Sequence, residues 1–328
     1  MPPSPMSSPL KVGIVGTGYA AARRAESLQA DERSRPLYVS GHSPESLDRF
    51  CRTHDLTGLD WRSLVTHPDL DLVVIANINR DHGSLVRAAL ESGKHVIVEY
   101  PLTTTPEEGR ELIEIAEKQK KLLHVEHIEL LGGLHRAQQQ HLPEIGTPFH
   151  ARYATVVPQN PVPRRWTFHR ELFGFPSIAA LSRIHRLTNL FGSVVSVSCQ
   201  NRYWDAPEEG YFLACLCEAK LLFSSGLMAG ITYGKGEVFH KSDRTFEIHG
   251  DRGSLVFDGE EGQLIRGEES RSIEVGSRRG LFTKDTTMVL DYLFDAIPLY
   301  VTPRESLYAL EVAHACYQSS ITGQTVLL

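Results

Sequence analysis

The apolar run Leu10–Val15 passes directly into a glycine-rich turn, Gly16-Thr17-Gly18-Tyr19-Ala20-Ala21, and the turn passes directly into a helical pattern, Tyr19–Ala30. Strand, tight turn and helix in that order leave few options for the surrounding fold. Gly16 permits the turn, Gly18 lets a phosphate approach the backbone N–H groups at the helix start, and Ala21 lets helix and strand pack closely. In this context Gly-x-Gly-x-x-Ala reads as a dinucleotide site in which Gly16, Thr17, Gly18, Tyr19 and Ala21 cradle the pyrophosphate.

The alternation continues through the first half of the chain. Strands are predicted at Leu37–Ser40, Leu72–Ala76, His95–Val98 and Leu122–Glu126, with helices at Pro44–His54, Asp81–Ser92 and Pro106–Lys120 between them. Thr105-Pro106-Glu107-Glu108 has the composition of a helix start, with a threonine cap, a proline at the first position and acids in the first turn. After His127 the rhythm changes. A helix at Glu129–His141, a strand near Phe149–Val157 and a helix at Ser177–Phe191 precede a run of strands: Val194–Trp204, Tyr211–Cys217, Gly226–Tyr233, Arg244–His249, Ser254–Phe257 and Gln263–Arg266. Consecutive strands with short turns read as one large antiparallel sheet. Two helices, Lys284–Asp295 and Pro303–Ser319, end the chain. The expectation is an α/β protein with a flexible leader over residues 1–10, a parallel-sheet nucleotide domain over residues 11–127 and an α+β domain with a large, mostly antiparallel open sheet over residues 128–328.

Several function classes are excluded by composition. No run approaches the roughly 20 apolar residues that span a bilayer, and the first ten residues lack the charged start and apolar stretch of a secretion signal. Five scattered cysteines without zinc spacing predict reduced, buried thiols, no metal and a cytoplasmic protein. A net charge of −6 argues against a nucleic-acid partner. Yet Ala151–Arg186 holds six arginines (Arg152, Arg164, Arg165, Arg170, Arg183 and Arg186), two histidines and one carboxylate, Glu171. Guanidinium groups concentrated in an acidic protein suggest an anionic small molecule. The aromatic residues among them (Trp166, Phe168, Phe173 and Phe175) are either core or a wall against that molecule.

The loop after the second strand narrows the cofactor. An NAD enzyme usually has an acid there, whereas this chain has Ser40-Gly41-His42-Ser43. Hydroxyls, backbone N–H groups and the imidazole of His42 suit a 2′-phosphate, so NADPH is favoured, with NADH as a weaker substitute. Ser43 also reads as a helix cap. Ala76 and Asn77, at the carboxyl end of a parallel strand, line the nucleotide crevice. His82, in the first turn of the next helix, is either packed or near the pyrophosphate.

About eighty residues beyond the glycine turn, Glu99-Tyr100-Pro101 closes a strand. The succession GIVGTGYAA, VVIANINRDH, GKHVIVEYP, FEIHGDRGSLVF and SLYALEVAHACYQSSITG resembles the glucose-fructose oxidoreductase / inositol dehydrogenase family along essentially the whole chain. That resemblance implies a Rossmann domain joined to an open antiparallel sheet, a nicotinamide cofactor, and Glu99 on the nicotinamide side. Family members that oxidise sugars carry Glu-Lys-Pro and, later, an Asp-x-x-x-His-x-x-Asp helix whose histidine is the acid/base. Here the lysine position is Tyr100, and Ser182, Arg186 and Asn189 stand at the three helix positions. A polyol oxidiser without lysine and histidine has no group to take the hydroxyl proton.

Glu99-Tyr100-Pro101, His124–Leu131 and Arg186-Leu187-Thr188 are similar to a specialised branch of that family. The likeness implies NADPH-dependent reduction of the central methine bridge, C10, of biliverdin IXα to bilirubin, with an anionic tetrapyrrole as the small-molecule partner. Arg186 and Tyr100 are then the catalytic candidates, and Arg183, His185, His127 and Glu129 the substrate-binding ones. Arg183 shares a helix face with Arg186 and suits a propionate, while His185, about 100° away, is the more natural proton source near neutral pH. Two other readings stand: an NADP-dependent sugar or small-carbonyl oxidoreductase with an unconventional proton donor, and a non-catalytic nucleotide-sensing regulator. Monomer and homodimer are both open.

Overall fold

Two units make up the chain. One unit runs to Ile128 and takes back Arg279–Leu307, and the other comprises Glu129–Arg278 and Tyr308–Leu328. The computed structural model describes residue 6 and residues 8–328, so most of the leader expected over residues 1–10 lies outside the described residues.

The first unit is built on six parallel strands: β1 (Leu10–Val15), β2 (Ser34–Ser40), β3 (Thr57–Gly58), β4 (Leu72–Ile75), β5 (His95–Val98) and β6 (Leu123–Val125). Helices α1 (Tyr19–Gln29), α2 (Pro44–His54), α3 (Trp61–Val65), α4 (His82–Glu91) and α5 (Pro106–Gln119) join them. All residues of β4 and β5 are buried, as strands are when helices cover both sheet faces. The strand order is β3-β2-β1-β4-β5-β6, so the sheet grows outward in both directions from β1 and β4. Such a switch of direction opens a crevice beyond the carboxyl ends of the central strands. Pro106 opens α5 with Glu107 and Glu108 in its first turn, but the Thr105 side chain makes no capping bond. Thr103 Oγ1 instead donates to the Thr105 carbonyl at 2.7 Å.

In the second unit, α6 (Gly133–His141), β7 (Pro148–Pro158), α7 (Arg170–Phe173), α8 (Pro176–Ala179) and α9 (Leu181–Phe191) precede β8 (Val194–Asp205), β9 (Phe212–Phe223) and β10 (Met228–Gly236). There follow β11 (Thr245–Gly250), β12 (Gly253–Asp258), β13 (Glu261–Arg266) and β14 (Glu269–Glu274). With the terminal strand β15 (Val326–Leu327), the sheet runs β14-β13-β12-β11-β7-β10-β9-β8-β15, antiparallel except where β7 meets β10. Along the second half of β9, buried Cys217, Ala219, Leu221 and Phe223 alternate with exposed Glu218, Lys220 and Leu222, so one face of the sheet is packed and the other is wet. The helix expected at Ser177–Phe191 breaks at Ala180, whose carbonyl accepts from Arg183 and Ile184 as α9 begins.

The chain ends with α10 (Leu281–Asp295), α11 (Pro303–Thr322) and β15 (Val326–Leu327). Helix α10 departs from the expected division, which assigned everything after residue 127 to the second domain. Val289, Leu290 and Leu293 join the apolar core formed by Leu10, Val12, Ile14 and Leu28 of the first unit. Ser27 and Thr283 share a hydroxyl bond of 3.0 Å. Among the described residues, no helix is long and apolar enough to cross a membrane.

Candidate active site

The end of β1 has the form that a bound dinucleotide requires. Gly16 sits at φ +126, and a Cβ there would lie 2.2 Å from the Ala76 carbonyl oxygen, so only glycine fits. A Cβ on Gly18 would meet nothing within 4 Å, which leaves that side of the turn open. Gly18 caps α1 without a side-chain bond, and the first turn of α1 contains no acid, so its N–H groups remain available to an anion. Thr17 packs on Gly41, where a Cβ would lie 2.7 Å from its methyl group. Tyr19 is exposed beside Arg23. Beyond β2, His42 is exposed and Ser43 caps α2, its Oγ accepting from Ser46 N at 3.4 Å. Asn77 Oδ1, after buried Ala76 at the end of β4, is itself buried without a protein partner among the described residues. His82 is buried with Nδ1 2.7 Å from the Pro101 carbonyl and Nε2 3.4 Å from the Asn77 carbonyl, so it holds together the loops after β4 and β5.

Behind Glu99 lies a buried ionic network. Arg24, on the inward stripe of α1, donates from Nε to Glu99 Oε1 at 3.0 Å and from Nη1 to Asp285 and to Thr286. Asp285 also accepts from Tyr300 OH at 2.6 Å and lies 2.8 Å from His124 Nε2. Against the opposing effect of burial, Arg24 and then His124 hold Asp285 below the usual carboxylate range. Glu126 is shifted the other way: burial, reinforced by the charge of Glu99, raises it well above that range. The Tyr100 ring stacks on His127, 5.4 Å between centroids at 12°. His127 is buried, with Nε2 2.8 Å from Ser306 Oγ and its N–H donating to Tyr300 OH at 3.0 Å.

In the second unit α9 carries Arg186, which is 1% exposed. Its Nη2 donates to the Glu129 carbonyl at 3.0 Å and to Glu129 Oε2 at 3.1 Å, and its Nη1 to Tyr153 OH at 3.0 Å. Nε is buried without a protein acceptor among the described residues. Glu129 is shared with Arg278. Arg183 donates to Ser182 Oγ at 2.7 Å and Thr155 Oγ1 at 3.2 Å, over the ring of Tyr233. Burial pushes His185 down to about 4, so the ring is neutral at pH 7. The arginine-rich segment does not form one cluster. Arg152 faces Asp243 and Glu247, Arg164 faces Glu208, and Arg170 pairs with Asp205, all carboxylates from outside the segment. Phe168 and Phe173 prove to be core residues around the Lys235 ammonium, 4.4 and 4.0 Å from their ring centroids.

Residues 10–127 match the model of an oxidoreductase family with an NAD-binding Rossmann fold, and residues 143–328 match the C-terminal alpha/beta domain of the same family. The chain belongs to the GFO/IDH/MocA oxidoreductase family. A biliverdin reductase from Synechocystis sp. PCC 6803, crystallised with biliverdin and NADP+, is 53% identical, with 95% of this chain and 99% of that one covered and a TM-score of 0.94. Mouse biliverdin reductase A is 26% identical over 92% of this chain and 93% of its own length. A levoglucosan dehydrogenase structure with NADH and L-sorbose shares the fold at 19% identity and a TM-score of 0.83, with 98% of this chain and 99% of that one covered.

This member of the GFO/IDH/MocA family contains site residues that sequence reasoning passed over. Arg24 left a signal, since it falls on the stripe Ala21, Ala25, Leu28 that packs α1 on the sheet. Asp285 left none, because its partner is 261 residues away. Tyr153, on β7, reads as one more strand aromatic until its hydroxyl is found on Arg186.

Proposed function

We propose that this chain is an NADPH-dependent reductase that converts biliverdin IXα to bilirubin by reduction at C10. The observation that carries the reading is Arg186, a buried guanidinium held by Glu129 and Tyr153, whose Nε–H has no acceptor among the described residues. With Tyr100 and Arg186 at the positions of lysine and histidine, the pair that handles the alcohol proton in sugar-oxidising relatives is replaced. A flat tetrapyrrole with two propionates asks instead for fixed cations and donors. Likeness to a reductase crystallised with biliverdin and NADP+ supports both substrate and cofactor.

Gly16, Thr17, Gly18, Tyr19 and Ala21 would hold the pyrophosphate, and His42 and Ser43 the 2′-phosphate. Ala76, Asn77 and Glu99 would border the rest of the cofactor. When bound, NADPH supplies the hydride that reaches C10. The methine carbon accepts it most readily when the adjacent pyrrole nitrogen is protonated or hydrogen-bonded. Arg186 polarises that region of the pigment by donating a charged hydrogen bond. A guanidinium keeps its own protons, with a pKa above about 12, so the proton delivered to nitrogen comes from water oriented by Arg186. Arg183 receives a propionate, and Tyr100, braced by His127, offers its ring to the cofactor. Glu129 fixes the direction of Arg186.

Mixing the protein with NADPH and biliverdin is expected to consume the long-wavelength bilin band, raise the bilirubin band and oxidise NADPH in equal amount. Turnover of sugars with NADP and none of biliverdin would overturn this reading in favour of a carbonyl oxidoreductase. Cofactor binding with no turnover of either would leave the regulator.

A further inference from the structure

The first unit contains a cavity of about 1050 Å³, at the amino ends of β5 and β6. The glycine turn and Glu99 lie at the carboxyl ends of their strands, so this cavity opens at the opposite edge of the sheet. Its walls are largely apolar, with Ile113 and Ala116 from α5, Leu123 from β6, and Leu299 and Val301 from the segment before α11. Its volume is at the upper end of the roughly 300–1,000 Å³ typical of small-molecule sites. Lys120, Lys121 and Arg304 also line it. Glu117, its one carboxylate, bonds Arg304 at 2.7 Å. Neither lysine has an ion-pair partner among the described residues, so the cavity carries a positive excess.

A buried polar group faces this space. His95, the first residue of β5, is 4% exposed and lines the cavity. Its Nδ1 accepts the Leu122 N–H at 2.9 Å. In the neutral ring, acceptance at Nδ1 leaves the proton on Nε2, and Nε2 has no protein acceptor among the described residues. Burial, assisted by Lys121, pushes His95 down to about 4, so the ring is neutral at pH 7 and offers one N–H. Apolar walls, a desolvated donor and two unpaired ammonium groups select for an apolar body bearing a negative end. We propose that this cavity binds an apolar monoanion, a ring-sized hydrophobic body with one carboxylate that accepts from His95 Nε2 and neutralises Lys121.

The probe is 2-naphthoate, with 2-naphthalenemethanol as the uncharged counterpart, titrated into the full chain saturated with NADPH. Naphthoate is expected to bind saturably and to move the His95 ring signals in ¹⁵N-histidine NMR spectra. Lys121→Glu is expected to weaken naphthoate by about tenfold and to leave the alcohol unchanged. Lys121 is only half-buried, so this variant keeps the test independent of how well a His95 variant folds. His95→Gln, which can still accept from Leu122, is expected to weaken naphthoate without affecting NADPH binding. Absence of saturable binding, equal naphthoate affinity in wild type and Lys121→Glu, or binding seen only without NADPH would each overturn the proposal.

Discussion

Arg24 and Arg186 are both fully buried, one on α1 of the nucleotide unit and the other on α9 of the sheet unit, and their surroundings differ in charge. Arg24 faces two carboxylates, Glu99 and Asp285, with Glu126 close enough to be pushed toward its protonated form by burial and by their charge. Arg186 has part of one carboxylate, because Glu129 also serves Arg278, and its other acceptors are the Tyr153 hydroxyl and the Glu129 carbonyl. The first cation is compensated from within the protein. The second stands in a region with more cations than carboxylates, which is the balance a site for an anionic substrate should have. Burial alone therefore does not separate the two arginines; their counter-ions do.

Removing either arginine tests this difference, and the largest expected effect is on stability. Arg24→Ala strands Asp285 and Glu99 without their cation and is expected to cost about 3–5 kcal/mol in urea unfolding. A loss below about 1 kcal/mol would mean the network is dispensable. Arg186→Ala is expected to fold and bind NADPH while kcat for biliverdin falls by about 10²–10³-fold. Unchanged kcat would remove Arg186 from the mechanism and erase the contrast with Arg24.

A third expectation concerns pH. His185 lies at about 4 in the folded chain against an ordinary value of 6.5, and burial lowers His135 to about 4 as well. Between those values the unfolded chain binds more protons than the folded one, so stability falls as pH drops through that window. Unfolding at pH 7 and pH 5 is expected to differ by roughly 1–2 kcal/mol on account of His185, and His185→Phe should flatten the slope. An unchanged slope in that variant would show that His185 takes up protons as readily in the folded chain as in the unfolded one, returning it to the list of proton donors. The smallest effect is reserved for the cofactor loop. Ser43→Asp should repel a 2′-phosphate and shift preference toward NADH by about tenfold, read from the ratio of kcat/KM values.

Much of the first unit was legible in the chain because β4 is an uninterrupted buried apolar run and β1 and β5 are nearly so, broken only by Lys11 and by His95. Strands β3 and β14 were missed for the opposite reason. Thr57 and Gly58 are both exposed, and Ile273 is the single buried residue of β14, so neither segment leaves a hydrophobic period to detect. Candidate site residues were legible where the chemistry is local: the glycine turn, the acid-free Ser40–Ser43 loop, and tyrosine and arginine at positions 100 and 186. The arginine-rich segment was only partly legible, since counting carboxylates inside Ala151–Arg186 could not reveal that Asp205, Glu208, Asp243 and Glu247 neutralise three of its arginines.

By itself the sequence determined the nucleotide turn, the parallel and antiparallel halves, and the loss of the alcohol-deprotonating pair, because each depends on backbone freedom or side-chain type within a few residues. Only the tertiary structure decided that α10 packs with the nucleotide unit, that His185 is neutral, and that Arg24 is matched by two carboxylates where Arg186 has a share of one. Burial and counter-ions are set by residues up to 261 positions apart, and no local pattern encodes them.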